Sequence, residues 1–132
     1  METKIEVVFL KEDIFQVKTQ DSKAELFIDK AKEGYNPAGP NPLELFLSSL
    51  GACIGVYAKR YLSMHSVEFK QLNIEVKADF SQDSPARLVN IKALVHTDAN
   101  LGDKRDVFLR FISNCPIHNT IKHTKEIEIN IG

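Results

Sequence analysis

Two cysteines are the residues of this chain best suited to chemistry. Cys53 lies in "LGACIGV" (residues 50–56), inside the most apolar stretch, and Cys115 stands directly before Pro116 in "NCPIHN" (residues 114–119). Thiolate, not thiol, is the nucleophile and the metal ligand, so the surroundings of each sulfur decide its use. Pro116 disfavours helical backbone at the residue before it and suits a first helical turn. Cys115 is therefore predicted to be the N-cap or first residue of a helix, where backbone N–H groups and the dipole lower a thiol's pKa. On that ground Cys115 is the easier thiolate of the two. Cys53 has a plainer alternative, because free cysteine also packs as a small hydrophobe.

Ser48, Ser49, Gly51, Ala52, Gly55 and Ala58 surround Cys53. Each glycine costs a helix interior about 0.5–1 kcal/mol relative to alanine, which implies a close approach by another backbone or a ligand. Gly51 and Gly55 share one helix face, and a second helix from a partner chain is expected to cross there. A metal reading competes. Cys115, His118 and His123, with Cys53 as a fourth ligand, are groups that zinc accepts. Residues 118 and 123 are about 140° apart around a helix, however, and do not face one site. No metal and no cofactor is expected. His65 and His96 have no sequence partners and are read as surface or packing residues. No G-x-S-x-G elbow and no phosphate loop occurs.

The elements that must position these residues follow from pattern and composition. The chain has 132 residues, 43% hydrophobic and 27% charged, with a formal net charge of −1. That is one domain, residues 1–132, with the composition of a soluble globular protein. The near-neutral balance argues against a nucleic-acid or anionic-membrane surface, both of which want a strong positive field. Residues 1–15 carry charges throughout and lack the apolar core of a signal peptide. Leu45–Ala58 is the longest largely apolar run and falls short of the ~20 residues a membrane span needs. Two cysteines without a secretory signal fit a reducing cytoplasm, where a disulfide is more often chemical than structural.

Residues 4–9, 15–19 and 24–28 have strand composition, with turn residues at Glu12-Asp13 and Asp21-Ser22, and predict an antiparallel meander. "EGYNPAGPNP" (residues 33–42) is a loop by its glycines and prolines. Asn41-Pro42 starts a helix, since Asn caps well and Pro suits the first turn, and Glu44 meets the positive end of its dipole. That helix runs to about Met64, and its apolar residues lie nearly all round the wheel. So small a domain cannot cover such a helix alone, which predicts a homodimer. Leu72–Asp79 and Leu88–His96 alternate with period two and form a hairpin. Asp103 is a candidate N-cap for a helix carrying Val107, Phe108, Phe111 and Ile112. A second helix starts at Pro116, and "EIEINI" (residues 126–131) is a last strand. The order βββ-α-ββ-αα-β is α+β.

At this point the residues resemble a known family. "GPNPLELFLSSLGACIGVYAKRYL" (residues 39–62), followed by a hairpin and then "NCPIHNTI" (residues 114–121), is similar to the OsmC-like and organic hydroperoxide resistance superfamily. The likeness runs from about Glu25 to Ile131. Pro42-Leu43-Glu44-Leu45 resembles its less characterised P-x-E-L branch. The resemblance implies an α+β fold in which two chains intertwine round their long helices. It also implies reduction of organic hydroperoxides by cysteine chemistry: Cys53 becomes a sulfenic acid, Cys115 resolves it to a disulfide, and a dithiol reductant opens that bond.

The chain departs from the characterised peroxidases in two places. Those carry a Glu directly after the loop Pro and an Arg in the N-terminal hairpin. Here Leu43 takes the Glu position, and no Arg occurs before Arg60. Glu44, one step on, is a candidate supporting residue, but nine positions before Cys53 it is about half a turn out of phase. The departures leave a second expectation open: a dimeric small-molecule binding module that keeps both cysteines for packing.

Overall fold

Period-two alternation becomes strand wherever an edge lies within reach to pair with. The structure, a computed structural model, describes residues 2–132 and divides into two compact units, one ending at Phe46 and the other Leu47–Gly132.

In the first unit β1 (Ile5–Lys11), β2 (Ile14–Thr19) and β3 (Leu26–Ile28) form the expected antiparallel meander in the order β1-β2-β3. Val7 faces Val17 and Phe9 faces Phe15, whose rings meet edge-on at 5.5 Å. After β3 comes Asp29, the one buried charged side chain among the described residues. It accepts hydrogen bonds from the Tyr35 hydroxyl (2.6 Å) and from the backbone N–H groups of Ala38 (2.9 Å) and Lys30 (2.7 Å). These bonds, Tyr35's first, hold its carboxyl below the usual range, while donation to Asp29 pushes the Tyr35 phenol up to about 12. The loop is thus folded round one carboxylate. A Cβ on Gly39 would lie 1.8 Å from the Phe27 carbonyl oxygen, so only glycine fits there.

Helix α1 (Pro42–Met64) starts where Asn41-Pro42 places it. Asn41 Oδ1 accepts from Glu44 N–H at 2.8 Å and Glu44 Oε1 accepts from Asn41 N–H at 3.0 Å, a reciprocal capping box. In the second unit the helix buries Leu50, Gly51, Ile54, Ala58, Tyr61 and Leu62, while Val56 on the opposite side stays 55% exposed. The hairpin of β4 (Leu72–Phe80) and β5 (Leu88–Thr97) pairs Ile74 with Val95 and Val76 with Ala93. Helices α2 (Arg105–Ile112) and α3 (Pro116–His123) add Phe108, Ile112 and Cys115 to the same core. Fully burying a side chain such as Leu62 or Phe108 stabilises by about 1.5–3 kcal/mol.

Two expectations are corrected, at Asp103 and at residues 126–131, and the glycines of α1 have a neighbour within their own chain. A Cβ on Gly51 would sit 3.1 Å from Val76 Cγ2 and one on Gly55 3.4 Å from Ile74 Cγ1, so the approaching element is β4. Asp103 does not cap α2: Lys104 holds that position and makes no side-chain cap bond. Residues 124–132 form no strand, and Ile127, Ile129 and Ile131 are 80%, 87% and 100% exposed. Alternation marks a face, but a strand also needs a partner, and among the described residues no strand pairs with that segment.

Two glycines should respond differently to a methyl group. Gly55→Ala is expected to leave stability unchanged or raise it by up to about 1 kcal/mol, through helix propensity. Gly39→Ala must displace backbone at Phe27 and should lower the urea midpoint clearly. Equal midpoints in urea titrations of the two variants would contradict the fold described.

Candidate active site

The second unit brings the two cysteines together. Cys53 projects from α1 and packs against the core cluster that contains Cys115. Pro116 starts α3 as its geometry requires. Cys115 is the N-cap in extended backbone (φ −71°, ψ 146°), and its Sγ accepts the His118 backbone N–H at 3.4 Å. The expected N-terminal placement is therefore real. The conclusion drawn from it, that Cys115 is the easier thiolate, is corrected. Cys115 is fully buried, and loss of water pushes its thiol up. The amide N–H groups of His118 and Ile117 pull the other way and do not prevail. Cys53 adds to the upward push, because the Cys115 thiol lies in hydrogen-bonding reach of it. Both sulfurs are unbridged, and Cys53 is only half-buried.

The turn that carries Cys115 is tied to itself. His118 Nδ1 bonds the Ser113 carbonyl oxygen at 2.5 Å, and Asn119 N–H bonds the Cys115 carbonyl oxygen at 3.0 Å. Asn119 Nδ2 reaches back to the Asn114 carbonyl oxygen (3.3 Å) and to its side-chain oxygen (3.1 Å). His118 is thus engaged with backbone. Among the described residues no three His, Cys, Asp or Glu side chains gather as a metal site.

Cys53 belongs to a row spaced four apart along α1: Cys53, Tyr57, Tyr61, His65. Tyr61 stacks on His65 at 4.3 Å and meets Phe108 edge-on at 5.2 Å, and Phe111 touches Tyr57 (5.6 Å) and Tyr61 (5.5 Å). The Arg60 guanidinium lies 4.8 Å from the Tyr57 ring centroid, within cation–π range. The period-four recurrence of aromatic residues after Cys53 was the available sequence signal for this wall. The latch by His118 and Asn119 had no comparable signal. Glu44 is committed to the capping box at the start of α1 and lies about 13 Å from Cys53 along the axis.

Two clefts adjoin the Cys115 turn. One of about 890 Å³ runs between β5 and the helices and is lined by Leu50, Ile54, Ile91, Val95 and Phe108, with His118 at its edge. The other, about 730 Å³ and more open, is walled by Tyr57, Phe111, Asn114, His118, Asn119 and Lys122. No helix among the described residues is long and apolar enough to cross a membrane.

The family model described as OsmC-like protein matches residues 33–130. The chain belongs to the OsmC-like protein family. A hydroperoxide reductase of Mycoplasma genitalium is 25% identical over 139 aligned residues, which cover 100% of this chain and 96% of that protein. An OsmC-like protein of Mycoplasma pneumoniae superposes with a TM-score of 0.79 at 21% identity, covering 93% of this chain and 89% of that one. The organic hydroperoxide resistance protein OhrB of Bacillus subtilis does so with a TM-score of 0.62 at 15% identity, over 93% and 92%. The OsmC-like α+β fold is shared with both solved structures.

Exposure and protonation together set an order of reactivity for the two thiols. Under native conditions at pH 7–8, iodoacetamide should modify Cys53 well before Cys115. Cys115, fully buried and with its thiol pushed up by loss of water, should need more basic conditions than an ordinary thiol. Peptide mapping of the alkylated protein reads the order directly, and modification of Cys115 first would contradict the burial described.

Proposed function

We propose that this chain is a thiol-dependent hydroperoxide reductase with Cys53 as the attacking and Cys115 as the resolving cysteine. The observation that carries the reading is that two unbridged cysteines, one half-buried and one fully buried, belong to one core. The peroxide-related role is supported by membership of the OsmC-like family and by the hydroperoxide reductase relative. The Cys53 thiolate attacks the terminal oxygen of R–O–O–H. An S–O bond forms, the O–O bond breaks, and the alkoxide leaves as alcohol after taking a proton. The Cys115 sulfur then attacks the Cys53 sulfenic acid: S–S forms, S–O breaks, and the thiol proton leaves with the hydroxyl as water. A dithiol reductant restores both thiols and becomes a disulfide itself. That dependence places the reaction in a reducing compartment, the cytoplasm.

Addition of cumene hydroperoxide to the reduced protein should consume both thiols with one equivalent of peroxide. Cys53→Ser should abolish consumption, and Cys115→Ser should stop at a sulfenic acid that dimedone traps. Persistence of both thiols at millimolar peroxide would sink the reading. It would leave the alternative, a binding module whose site is the 890 Å³ cleft, a cleft that neither cysteine lines.

The unit of function is proposed to be a homodimer of one OsmC-like domain per chain. Support comes from apolar surface that one chain leaves open: Val56 on α1, and Ile127, Ile129 and Ile131 in strict alternation. A second copy would supply the edge that residues 124–132 lack. Light scattering at micromolar concentration should give twice the chain mass, and serine at all three isoleucine positions should shift it to monomer. A monomeric wild-type protein would overturn the assignment.

A further inference from the structure

The mechanism above uses two sulfurs and no other titratable group near them. His118 is unused, yet it touches the Cys115 turn twice: its backbone N–H is on Cys115 Sγ, and its ring is on the Ser113 carbonyl oxygen. A carbonyl oxygen only accepts, so Nδ1 must carry a hydrogen, which fixes the neutral ring as the Nδ1–H tautomer. The imidazole thereby closes a loop from residue 118 back to residue 113, with Cys115 inside it. Asn119 closes a second, parallel loop to Asn114.

We propose that His118 is a positioning residue for disulfide formation, its ring clamping the turn so that its own amide N–H stays on the Cys115 sulfur facing Cys53. The inference rests on the hydroperoxide reductase reading for its biological setting. The clamp acts on the second chemical step. The Cys115 thiol proton departs first and leaves charge on its sulfur. That sulfur then attacks, S–S forms, the bond from Cys53 to its leaving group breaks, and the leaving group takes up the proton. A backbone N–H already aimed at that sulfur strengthens as the charge grows, since hydrogen bonds to ionised acceptors are the stronger ones. Full burial denies the sulfur help from water, so the donor is the stabilising group at hand. Without the ring contact, residues 113–118 gain freedom and the sulfur loses its aim. A misplacement of about 1 Å can cost on the order of a hundredfold in rate.

A clamp and a proton acceptor predict different pH behaviour. The Nδ1–H donor is present in neutral and in protonated imidazole alike, so the clamp works equally on both sides of the imidazole titration. The charged groups that share the two clefts with His118 are His96 and Arg105 on one side and Arg110 and Lys122 on the other.

The test uses two oxidants on the full-length protein. Diamide joins two thiols as a disulfide without peroxide and is itself reduced to the hydrazine. It reads the clamp even if the peroxidase reading fails, whereas cumene hydroperoxide reads both together. His118→Ala should slow formation of the Cys53–Cys115 disulfide by about ten- to a hundredfold with either oxidant. The first step, followed as dimedone trapping in a Cys115→Ser background, should not change. His118→Asn places an amide N–H where Nδ1–H stood and should restore the rate to within about twofold. The slowing in His118→Ala should be the same at pH 5.5 and pH 8. An alanine variant as fast as wild type would overturn the proposal. So would an asparagine variant as slow as the alanine one, or a slowing confined to pH above the imidazole titration. If His118→Ala does not fold, His118→Gln, whose amide is displaced by one bond, takes its place with the same outcomes. Unreactive thiols toward hydroperoxide together with the expected diamide rates would remove the peroxidase reading and leave the clamp standing.

Discussion

Burial of the Cys115 sulfur at the start of α3 is the constraint on which the proposed site depends. Two forces of opposite sign act there. The end of a helix offers amide donors and a favourable dipole to an anion, while a fully dehydrated position opposes any charge. Dehydration prevails, and it does so because α1 and α2 close over the turn with Ile54, Ala58, Phe108 and Ile112 in one continuous core. The outcome is a difference in setting between two chemically identical groups. One thiol is kept protonated inside the core, and the other rides on the side of α1 where the packing is looser.

That packing requires an unusually slim helix. Gly51 and Gly55 cost helical propensity and let the side chains of β4 settle at van der Waals distance from the α1 backbone. With β4 so close on one side, the side that carries Cys53, Tyr57 and Tyr61 is left for α2, whose Phe111 ring meets both tyrosines and whose Phe108 ring meets Tyr61. The cysteine, the aromatic wall and the glycines are therefore three consequences of one arrangement. In the other unit a similar economy holds. Asp29 collects three donors, and Gly39 makes room for the Phe27 carbonyl, so a proline-rich loop without regular structure still has a defined path into α1.

At the positions where the chain departs from the characterised peroxidases, Glu44 and the first arginine, Arg60, have local partners. Glu44 is drawn into the capping box by its place three residues after Asn41, a local geometry that any Asn-x-x-Glu at a helix start favours. In the unit that carries Cys53, Arg60 brings a guanidinium to the face of Tyr57.

Much of this protein was written in local sequence. Asn41-Pro42 marks where α1 begins, Cys115-Pro116 makes an N-cap, and the alternation of Leu72–Phe80 and Leu88–Thr97 makes a hairpin, because capping, proline stereochemistry and the strand period are properties of neighbouring residues. The proposal that Cys53 and Cys115 work as a pair came from the resemblance of two motifs to a family. Three things were decided by tertiary structure alone. The element of this chain that approaches the glycines is β4, since spacing reveals a need for room and not what fills it. Residues 126–131 have strand alternation and no strand, since a ladder needs an edge that local pattern cannot supply. The protonation of Cys115 runs against its helix-terminal position, since dehydration is a sum over everything packed around the sulfur, and that sum exists only once the chain has folded.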